Sequence, residues 1–354
     1  MSLNNILDQP LTSWMKDPGP DNDIVLSSRI RLARNIGVIP FPNRATEEQL
    51  NQVVETVKNS VGDLTKETGT AFMFLDLDKI SPLERFVLVE KHLISPVHAQ
   101  EAKYRGLLTG ADGVVSIMVN EEDHLRAQVI LPGLQLEEAW QVANSVDDIL
   151  EAKMDFAFSE RQGYLTSCPT NVGSGLRASV MLHLPALVIT NQIGRVLSAI
   201  SQLGLAVRGL YGEGSEAIGN IYQISNQMTL GFAEREIVEN LQSVAGQIVE
   251  QERLARDYLF KNNNEQLADR VFRAYGILSC ARIVSSQEAM RLLSDVRLGV
   301  DLGIIQEIDP KIFNELLVKT RPNFLQKIAH RDLDAMGRDM MRAEIIRQTI
   351  KRQT

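Results

Sequence analysis

The sequence predicts an α+β domain through about residue 257, followed by a smaller all-helical domain. Helical periodicity alternates with short β-like runs in the first part, whereas no convincing strand follows about residue 262. The charge changes at the same place, because residues 1–256 carry a net charge of −11 and residues 257–354 a net charge of +3. Two independent patterns therefore predict one boundary, with domains at residues 1–257 and 258–354.

The elements of the first domain follow from apolar spacing and turn signals. Apolar residues recur at helical spacing in residues 47–64, 82–93, 136–158 and 234–258. The helix from Pro82 is well marked, because Ser81 precedes it and Glu84 falls in its first turn. Short β-like runs, several beside Gly, Asn or Asp, predict strands at residues 71–75, 114–119, 127–131, 205–210 and 221–224. The second domain is predicted to contain four or five short helices, punctuated by Gly276, Gly299, Gly303, Pro310 and Pro322.

The composition excludes several classes of protein. A formal charge of −8 over 354 residues argues against a general nucleic-acid binder. Cys168 and Cys280 are too few for a disulfide framework, and no CxxC motif or Cys/His cluster indicates zinc. The N-terminus lacks the pattern of a signal peptide, and the most apolar stretch, residues 180–190, is too short to cross a bilayer. We therefore expect a cytoplasmic protein.

Arginine outnumbers lysine by 25 to 12. The rigid five-donor fork of arginine suits phosphate and carboxylate groups, although GC-rich codon usage produces the same bias. The positions of the arginines are therefore more informative than their number.

Two polar clusters accompany predicted strands. In residues 27–35, SSRIRLARN, Arg29 and Arg31 alternate at strand period and would project from one face, where two guanidiniums favour a polyphosphate between them. A solvated edge strand is the alternative.

In residues 120–126, NEEDHLR, Glu122 would lie at the edge of a sheet with Arg126 directed towards an anion, although three consecutive acids are more often a hydrophilic turn. We interpret His124 as a hydrogen-bonded turn residue rather than a general base.

Two further clusters are rich in glycine. In residues 168–177, CPTNVGSGLR, small residues would let the backbone approach a ligand beside Arg177. A lone cysteine such as Cys168 is most often inert and buried, although a nearby arginine can lower the pKa of its thiol. GSGLRA also fits a relaxed dinucleotide-binding pattern, but no clear strand enters it. Residues 208–216, RGLYGEGSE, place Arg208 after a strand and Glu213 between two glycines, in either a surface loop or a closing loop.

The clusters together indicate phosphoryl transfer to a cationic acceptor. Polyphosphate requires distributed positive charge, and carboxylates beside it would repel the phosphate unless they bind a cationic second substrate. A guanidinium is the natural candidate, because it pairs with carboxylate through two hydrogen bonds. Carboxylates can also align its nitrogen and accept its proton. The residues that carry this pattern are Arg29, Arg31, Arg126, Arg177, Arg208, Glu122 and Glu213.

The segments SSRIRLARN, NEEDHLR, CPTNVGSGLRA and RGLYGEGSEA, in this order, resemble the signature blocks of the phosphagen (guanidino) kinases. IYQISNQMTLGFAE is similar as well, so the resemblance covers most of residues 22–257. It implies an antiparallel sheet of eight strands flanked by helices, and transfer from Mg·ATP to a guanidinium nitrogen, with Mg²⁺ held mainly by nucleotide phosphates and water. It further implies that Glu122 is the catalytic carboxylate, Glu213 the second guanidinium-binding carboxylate and Cys168 the reactive cysteine of the substrate site. The nucleotide phosphates would be bound by Arg29, Arg31, Arg126, Arg177 and Arg208.

In two respects the sequence departs from the metabolite kinases and resembles the bacterial protein-arginine kinases of this family. Only about 26 residues precede the first block, where small-guanidine kinases have a helical domain that closes over a free metabolite, and a helical tail follows residue 257. In the tail, RDMMRA matches the phosphoarginine-binding motif of these kinases, through Arg338, Asp339 and Arg342. From spacing alone, a solvated basic helix face is the alternative.

The resemblance also implies partners and regulation. It predicts arginine-bearing protein substrates, among them a heat-shock repressor, together with a zinc-binding activator protein and a Clp unfoldase–protease that takes arginine-phosphorylated clients. It predicts dimerisation through the helical domain, which would couple product sensing to assembly. Two other functions stay open: a metabolite kinase acting on free arginine, and a non-catalytic phosphoarginine reader that uses only the tail motif.

Overall fold

The computed structural model describes residues 3–9, 11–209 and 217–351. Eight strands form one large sheet in the order β2-β3-β4-β5-β1-β8-β10-β9, and two short strands form a separate hairpin. The pairings from β2 through β1 are antiparallel. This confirms the α+β class with a sheet of eight strands. The strands are β1 Val25–Arg34, β2 Phe72–Asp76, β3 Gly106–Gly110, β4 Val115–Val119, β5 Leu125–Pro132, β6 Phe158–Ser159, β7 Gly163–Tyr164, β8 Leu176–His183, β9 Leu205–Gly209 and β10 Ile221–Asn226.

Helices flank the sheet and make up the last part of the chain. Residues 264–351 contain helices and no strand, as predicted. The helices are α1 Leu3–Asp8, α2 Ser13–Lys16, α3 Glu47–Asn59, α4 Val61–Thr68, α5 Pro82–Glu90, α6 Pro96–Gln100, α7 Leu136–Glu151, α8 Pro185–Ile189, α9 Ile193–Gln202, α10 Glu234–Asn262, α11 Asn264–Cys280, α12 Ser286–Asp301, α13 Lys311–Lys319, α14 Pro322–Ala329 and α15 Ala335–Lys351.

The start of α5 follows the predicted signal. Ser81 accepts a hydrogen bond from the Glu84 N–H at 3.3 Å, and the Glu84 carboxylate accepts one from the Ser81 N–H at 3.2 Å. This capping box satisfies two backbone donors that the first helical turn leaves open. Two predicted helices are shorter than expected: α5 ends at Glu90, just before His92 takes a left-handed φ of 61°, and α7 ends at Glu151. The segment predicted as one helix over 47–64 divides at Ser60 into α3 and α4.

Strand β1 lies in the centre of the sheet, between β5 and β8. Ile30 and Leu32 on its apolar face are fully buried. The alternative of a solvated edge strand for the SSRIRLARN block is therefore wrong. Arg29 and Arg31 are instead held in a strand whose two neighbours also contribute to the same face.

The described chain divides into two compact units. The first comprises Met1–Gly19, Ser27–Val180 and Ser225–Ser243, and the second comprises Pro20–Leu26, Met181–Ile224 and Val244–Thr354. Strands β1, β8 and β10 each have residues in both units. The division at residue 257 that the sequence predicts stays a prediction. None of the described helices is long and apolar enough to span a membrane.

Each unit has its own buried interior. In the first, Leu75, Leu88, Leu107 and Met118 belong to an apolar cluster that packs α5 against β2, β3 and β4. The second unit also buries charge: the Glu252 carboxylate accepts the N–H groups of Ala186 and Leu187, each at 3.0 Å, and pairs with a buried arginine. Burial raises the pKa of Glu252, which these hydrogen bonds and the arginine oppose.

Candidate active site

An arginine face is built on three adjacent strands of the first unit. Arg29 and Arg31 are two residues apart on β1, so both side chains project from one side of the sheet. In the register with β5, Arg31 lies opposite Gln128 and Ala33 lies opposite Arg126, which makes Arg31 and Arg126 diagonal neighbours on this side. Arg177 comes from β8, on the other side of β1. The structure therefore brings together four of the five predicted phosphate-binding arginines.

Positive charge is in excess on this face. Burial lowers the pKa of Arg31, and the positive charges of Arg29, Arg126 and Arg177 lower it further, whereas the Glu121 carboxylate opposes them. The Arg31 Nε atom is buried and has no hydrogen-bond partner in the described structure. A polyphosphate fits such a place, because anionic oxygens would satisfy the open donor and offset the mutual repulsion.

The turn from β4 to β5 holds two carboxylates beside this face. Asn120 adopts a left-handed φ of 59°, and its N–H donates to the His124 carbonyl at 2.9 Å. Its side-chain amide donates to the carbonyls of Leu50 at 2.9 Å and Tyr104 at 2.8 Å. The turn is thereby tied to two other segments, which fixes the residues that it presents.

Glu121 and Glu122 both pair with Arg126, but their surroundings differ. Glu121 Oε2 lies 2.5 Å from Arg126 Nη1, and Glu122 Oε2 lies 3.1 Å from Arg126 Nη2. The Glu121 side chain is only 4% exposed and also accepts a hydrogen bond from Ser95 Oγ, whereas Glu122 is 43% exposed. Glu122 is thus the carboxylate that an incoming substrate can reach. Glu121 and Ser95 are not predicted from the sequence, because acidic neighbours in a turn give no signal of which one is buried.

Asp123 connects the turn to the loop that contains the cysteine. Its Oδ1 accepts hydrogen bonds from the Asn35 side-chain amide and the Ser167 N–H, both at 2.7 Å. Glu122 directly precedes Asp123 and Cys168 directly follows Ser167, so this hydrogen bond joins the residues that adjoin the two predicted site residues. The alternative of a merely hydrophilic turn is wrong, because Glu121 and Asp123 are buried.

His124 is a structural residue, as expected. Its Nδ1 accepts the Ile36 N–H at 3.0 Å, which leaves Nε2 to donate to the Pro40 carbonyl at 3.0 Å. Burial lowers the pKa of this imidazole below its usual value. With both nitrogens engaged by the backbone, His124 anchors the turn and is not placed as a base.

The Cys168 loop is held by hydroxyl groups. Thr166 Oγ1 donates to the Cys168 carbonyl at 2.8 Å, and Cys168 Sγ lies 3.0 Å from Thr170 Oγ1. The thiol is partly exposed, so the alternative of a fully buried cysteine is wrong. Gly175 has a φ of 65°, and a Cβ there would lie 2.7 Å from the Ala33 carbonyl oxygen, which explains the need for glycine beside β1. Strand β8 begins inside the GSGLRA segment, at Leu176, and was not predicted from the sequence.

Arg34 shares strand β1 with Arg31 but is fully engaged. Its Nε and Nη2 lie 2.9 and 2.7 Å from one Asp147 oxygen, and its Nη1 donates to the Ala33 and Ser174 carbonyls at 3.1 and 3.0 Å. Its guanidinium carbon lies 3.5 Å from the centre of the Tyr164 ring. Burial raises the pKa of Asp147 to about 6, despite the arginine, which acts against the rise. Arg34 is therefore part of the scaffold behind the site.

Of the remaining predicted residues of the catalytic region, the structure describes Arg208, which lies on β9 and belongs to the second unit. Glu213 and the loop from Tyr211 to Ser215 lie outside the described residues. Within the described ranges, no group of three His, Cys, Asp or Glu side chains is placed to hold a metal ion.

The tail motif lies on α15. Arg342 is 2% exposed, and its Nε and Nη1 donate to the carbonyls of Thr320 and Val284, each at 2.9 Å. Its Nη1 also pairs with Asp339, and Arg338 donates to the Leu333 carbonyl at 2.7 Å. The alternative of a solvated basic face is wrong for Arg342, which connects α15 to the segments that precede α12 and follow α13.

Family models match most of the chain. The model of the ATP:guanido phosphotransferase C-terminal catalytic domain matches residues 52–255. A second model, described as the protein-arginine kinase McsB C-terminal domain, matches residues 264–354. The predicted family is thereby confirmed.

Individual proteins of known sequence or structure are similar to this chain in the same way. A protein-arginine kinase of Brevibacillus brevis is 54% identical over 351 residues, which cover 99% of this chain and 98% of the relative. A protein-arginine kinase of Bacillus subtilis is 52% identical over 350 residues, with 99% and 96% covered. Among solved structures, a lombricine kinase matches with a TM-score of 0.58 and 25% identity over 69% of each chain. A duplicated taurocyamine kinase of Schistosoma mansoni matches with a TM-score of 0.59 and 26% identity, over 70% of this chain and 35% of that one.

The arginine face, the carboxylates beside it and the full-length similarity lead to one assignment. The chain belongs to the ATP:guanido phosphotransferase family and, within it, to the protein-arginine kinases.

Proposed function

We propose that this protein transfers the γ-phosphoryl group of ATP to arginine side chains of proteins. The observation that carries the proposal is the arginine face with its open Arg31 donor, placed next to an accessible carboxylate at Glu122. Similarity over nearly the whole chain to protein-arginine kinases supports protein-bound arginine, rather than free arginine, as the acceptor.

The arginine face would bind the nucleotide. Arg29, Arg31, Arg126 and Arg177, which lie on three adjacent strands, would contact phosphate oxygens from one side of the sheet, and the family motif adds Arg208. Their charges offset the negative charge that spreads over the phosphoryl oxygens in the transition state. Mg²⁺ would offset part of the phosphate charge, and we assign it to nucleotide phosphates and water rather than to a protein carboxylate.

Glu122 would bind and deprotonate the acceptor. Its carboxylate is 43% exposed and pairs with one guanidinium, that of Arg126 at 3.1 Å, which supports a role in binding a second one. On transfer, a terminal guanidinium nitrogen forms the N–P bond, the bond from the γ-phosphorus to the bridging oxygen breaks, ADP leaves with that oxygen, and Glu122 takes the nitrogen's proton. By motif, Glu213 aligns the other edge of the guanidinium and Cys168 lines the substrate site.

The tail motif and the wider partners complete the proposal. Arg338, Asp339 and Arg342 would bind phosphoarginine, although Arg342 would first have to exchange some of its backbone and Asp339 contacts. We propose a heat-shock repressor among the substrates, a zinc-binding activator, a Clp unfoldase–protease as recipient of the modified proteins, and a homodimer. These assignments rest on the family resemblance.

Transfer of label from γ-labelled ATP tests the function. With Mg²⁺ present, we expect acid-labile, alkali-stable label on an arginine-rich protein and little on free arginine. Glu122→Gln should lower the rate by at least about 100-fold, the usual worth of a general base. Glu138→Gln, which changes an exposed glutamate of α7, is the matched control and should have no effect. Label on free arginine alone would contradict the assignment.

A further inference from the structure

A short apolar ridge follows strand β10 in the first unit. It consists of Met228, Leu230 and Phe232, which are 60, 53 and 49% exposed. Residues 227–233 contain no charged side chain. Single exposed apolar residues are ordinary, but three large ones on one short segment indicate a contact surface.

The ridge is fixed to the Cys168 loop. Thr229, between two ridge residues, is buried, and its Oγ1 lies 3.0 Å from the Thr170 carbonyl and 2.7 Å from the Val172 carbonyl. A Cβ on Gly173 would lie only 2.7 Å from the Leu230 Cα atom, so the two backbones are in direct contact. The position of the ridge relative to this loop is therefore set by buried contacts.

The apolar surface continues beyond the ridge. Tyr164 pairs with Gly173 through two backbone hydrogen bonds, of 2.8 and 3.3 Å. The Phe158 ring, 58% exposed, packs edge-on against Tyr164 with ring centres 5.2 Å apart. Exposed apolar groups thus border Gly173 through both Leu230 and the Tyr164–Phe158 pair.

This surface lies beside the acceptor side of the proposed active site. The Cys168 loop is bonded through Ser167 to Asp123, the residue that follows Glu122. The chain of contacts from the proposed base to the ridge passes through Asp123, Ser167, the Cys168–Gly173 loop and Thr229. A polypeptide whose arginine reaches Glu122 would therefore continue across or near these apolar side chains.

We infer that the apolar ridge docks the polypeptide segment that flanks the acceptor arginine, and that it selects substrates with a large apolar residue near that arginine. The inference rests on the proposed function, because free arginine has no flanking segment to dock. An apolar partner is favoured over a charged one, because the ridge offers no charge to pair with. Burying about half of one such side chain corresponds to roughly tenfold in affinity.

Two peptide series test the inference in the full-length protein. Each peptide carries one arginine, with leucine or phenylalanine at successive positions on its N-terminal or C-terminal side, and the reference peptide carries serine throughout. We expect wild-type protein to phosphorylate the best apolar peptide with kcat/KM about tenfold above the reference, through a lower KM. Combined Met228→Ser, Leu230→Ser and Phe232→Ser should remove this preference and leave kcat/KM for the reference peptide unchanged within about twofold.

Leu203→Ser is the matched control, since Leu203 is 58% exposed but belongs to the second unit. It should keep the preference. The single substitution Leu230→Ser, measured with the thermal unfolding midpoint, replaces the triple variant if the latter does not fold. Equal kcat/KM for all peptides, or a preference that survives loss of the ridge, would overturn the inference alone. Absence of label on every peptide and protein would overturn the proposed function and the inference together.

Discussion

The arginine face of the sheet and the tail helix α15 both bury guanidinium groups, but they differ in what surrounds the charge. Arg31 has three arginines among the charges that act on it and a buried Nε atom without a partner in the described structure. Arg342 donates to two backbone carbonyls and pairs with Asp339. The first arrangement leaves positive charge that an anion would stabilise directly, whereas in the second an anion would have to displace contacts that already engage the guanidinium. The neighbours of a motif arginine therefore decide whether it can take an anion without giving up contacts of the fold.

The same contrast occurs within strand β1, where it gives the largest expected effect. Arg34→Ala should lower the free energy of unfolding by about 3–5 kcal/mol, because it leaves the Asp147 carboxylate buried without its partner. Arg31→Ala should cause no loss of stability, because it relieves repulsion among the arginines. Urea unfolding of the two variants measures the difference. Equal destabilisation by both would remove the distinction between scaffold and binding arginines.

The tail helix offers a second pair of substitutions. Arg342→Ala should lower the free energy of unfolding by about 1–3 kcal/mol, because the Thr320 and Val284 carbonyls lose their donor in a buried place. Arg338→Ala removes a single hydrogen bond to Leu333 and should cost about 0.5–1 kcal/mol. Thermal and urea unfolding compare the two. A larger loss for Arg338→Ala than for Arg342→Ala would show that the contacts of α15 are assigned wrongly.

A smaller effect concerns how the free energy of unfolding depends on pH through the buried His98. His98 is buried and lies with Nε2 3.0 Å from the Gly106 carbonyl, and burial lowers its pKa to about 4. The unfolded chain binds a proton near pH 6.5 but the folded chain does not, so His98 makes folding less favourable as the pH falls from about 6.5 to 4. His98→Gln keeps a donor for Gly106 and should reduce the loss of stability between pH 7 and 5 by about 1–2 kcal/mol. Urea unfolding at both pH values checks this, and an identical pH dependence would contradict the shift.

Helices and strands were predicted best from the sequence where local residue spacing alone determines them. Strand β5 and the capping box of α5 were found because alternation and a short polar signal suffice for each. Strand β3, GLLTG, was missed because it is short and buried throughout, which leaves no alternation. The strand period of β1 could not distinguish a central strand from an edge strand, because side chains project perpendicular to the direction in which strands pair.

The candidate site shows the same limit. The family motifs mark Arg29, Arg31, Arg126 and Arg177, which the structure places together, and strand alternation puts Arg34 on the opposite side of β1. Neither signal reveals what Arg34 contacts there, because its partner Asp147 lies more than a hundred residues further along the chain. The burial of Arg342 likewise depends on Val284 and Thr320, which spacing within α15 cannot reveal.

The affinity of Arg31→Ala for nucleotide tests the central claim most directly. Isothermal titration of Mg·ATP into wild type should give a Kd that the substitution weakens by about 10–150-fold, the worth of one hydrogen bond to a charged group. Arg235→Ala removes an exposed arginine of the same unit that pairs with Glu239, and it should leave the Kd unchanged. An Arg31→Ala protein that binds Mg·ATP as tightly as wild type would contradict the assignment of the arginine face to the nucleotide.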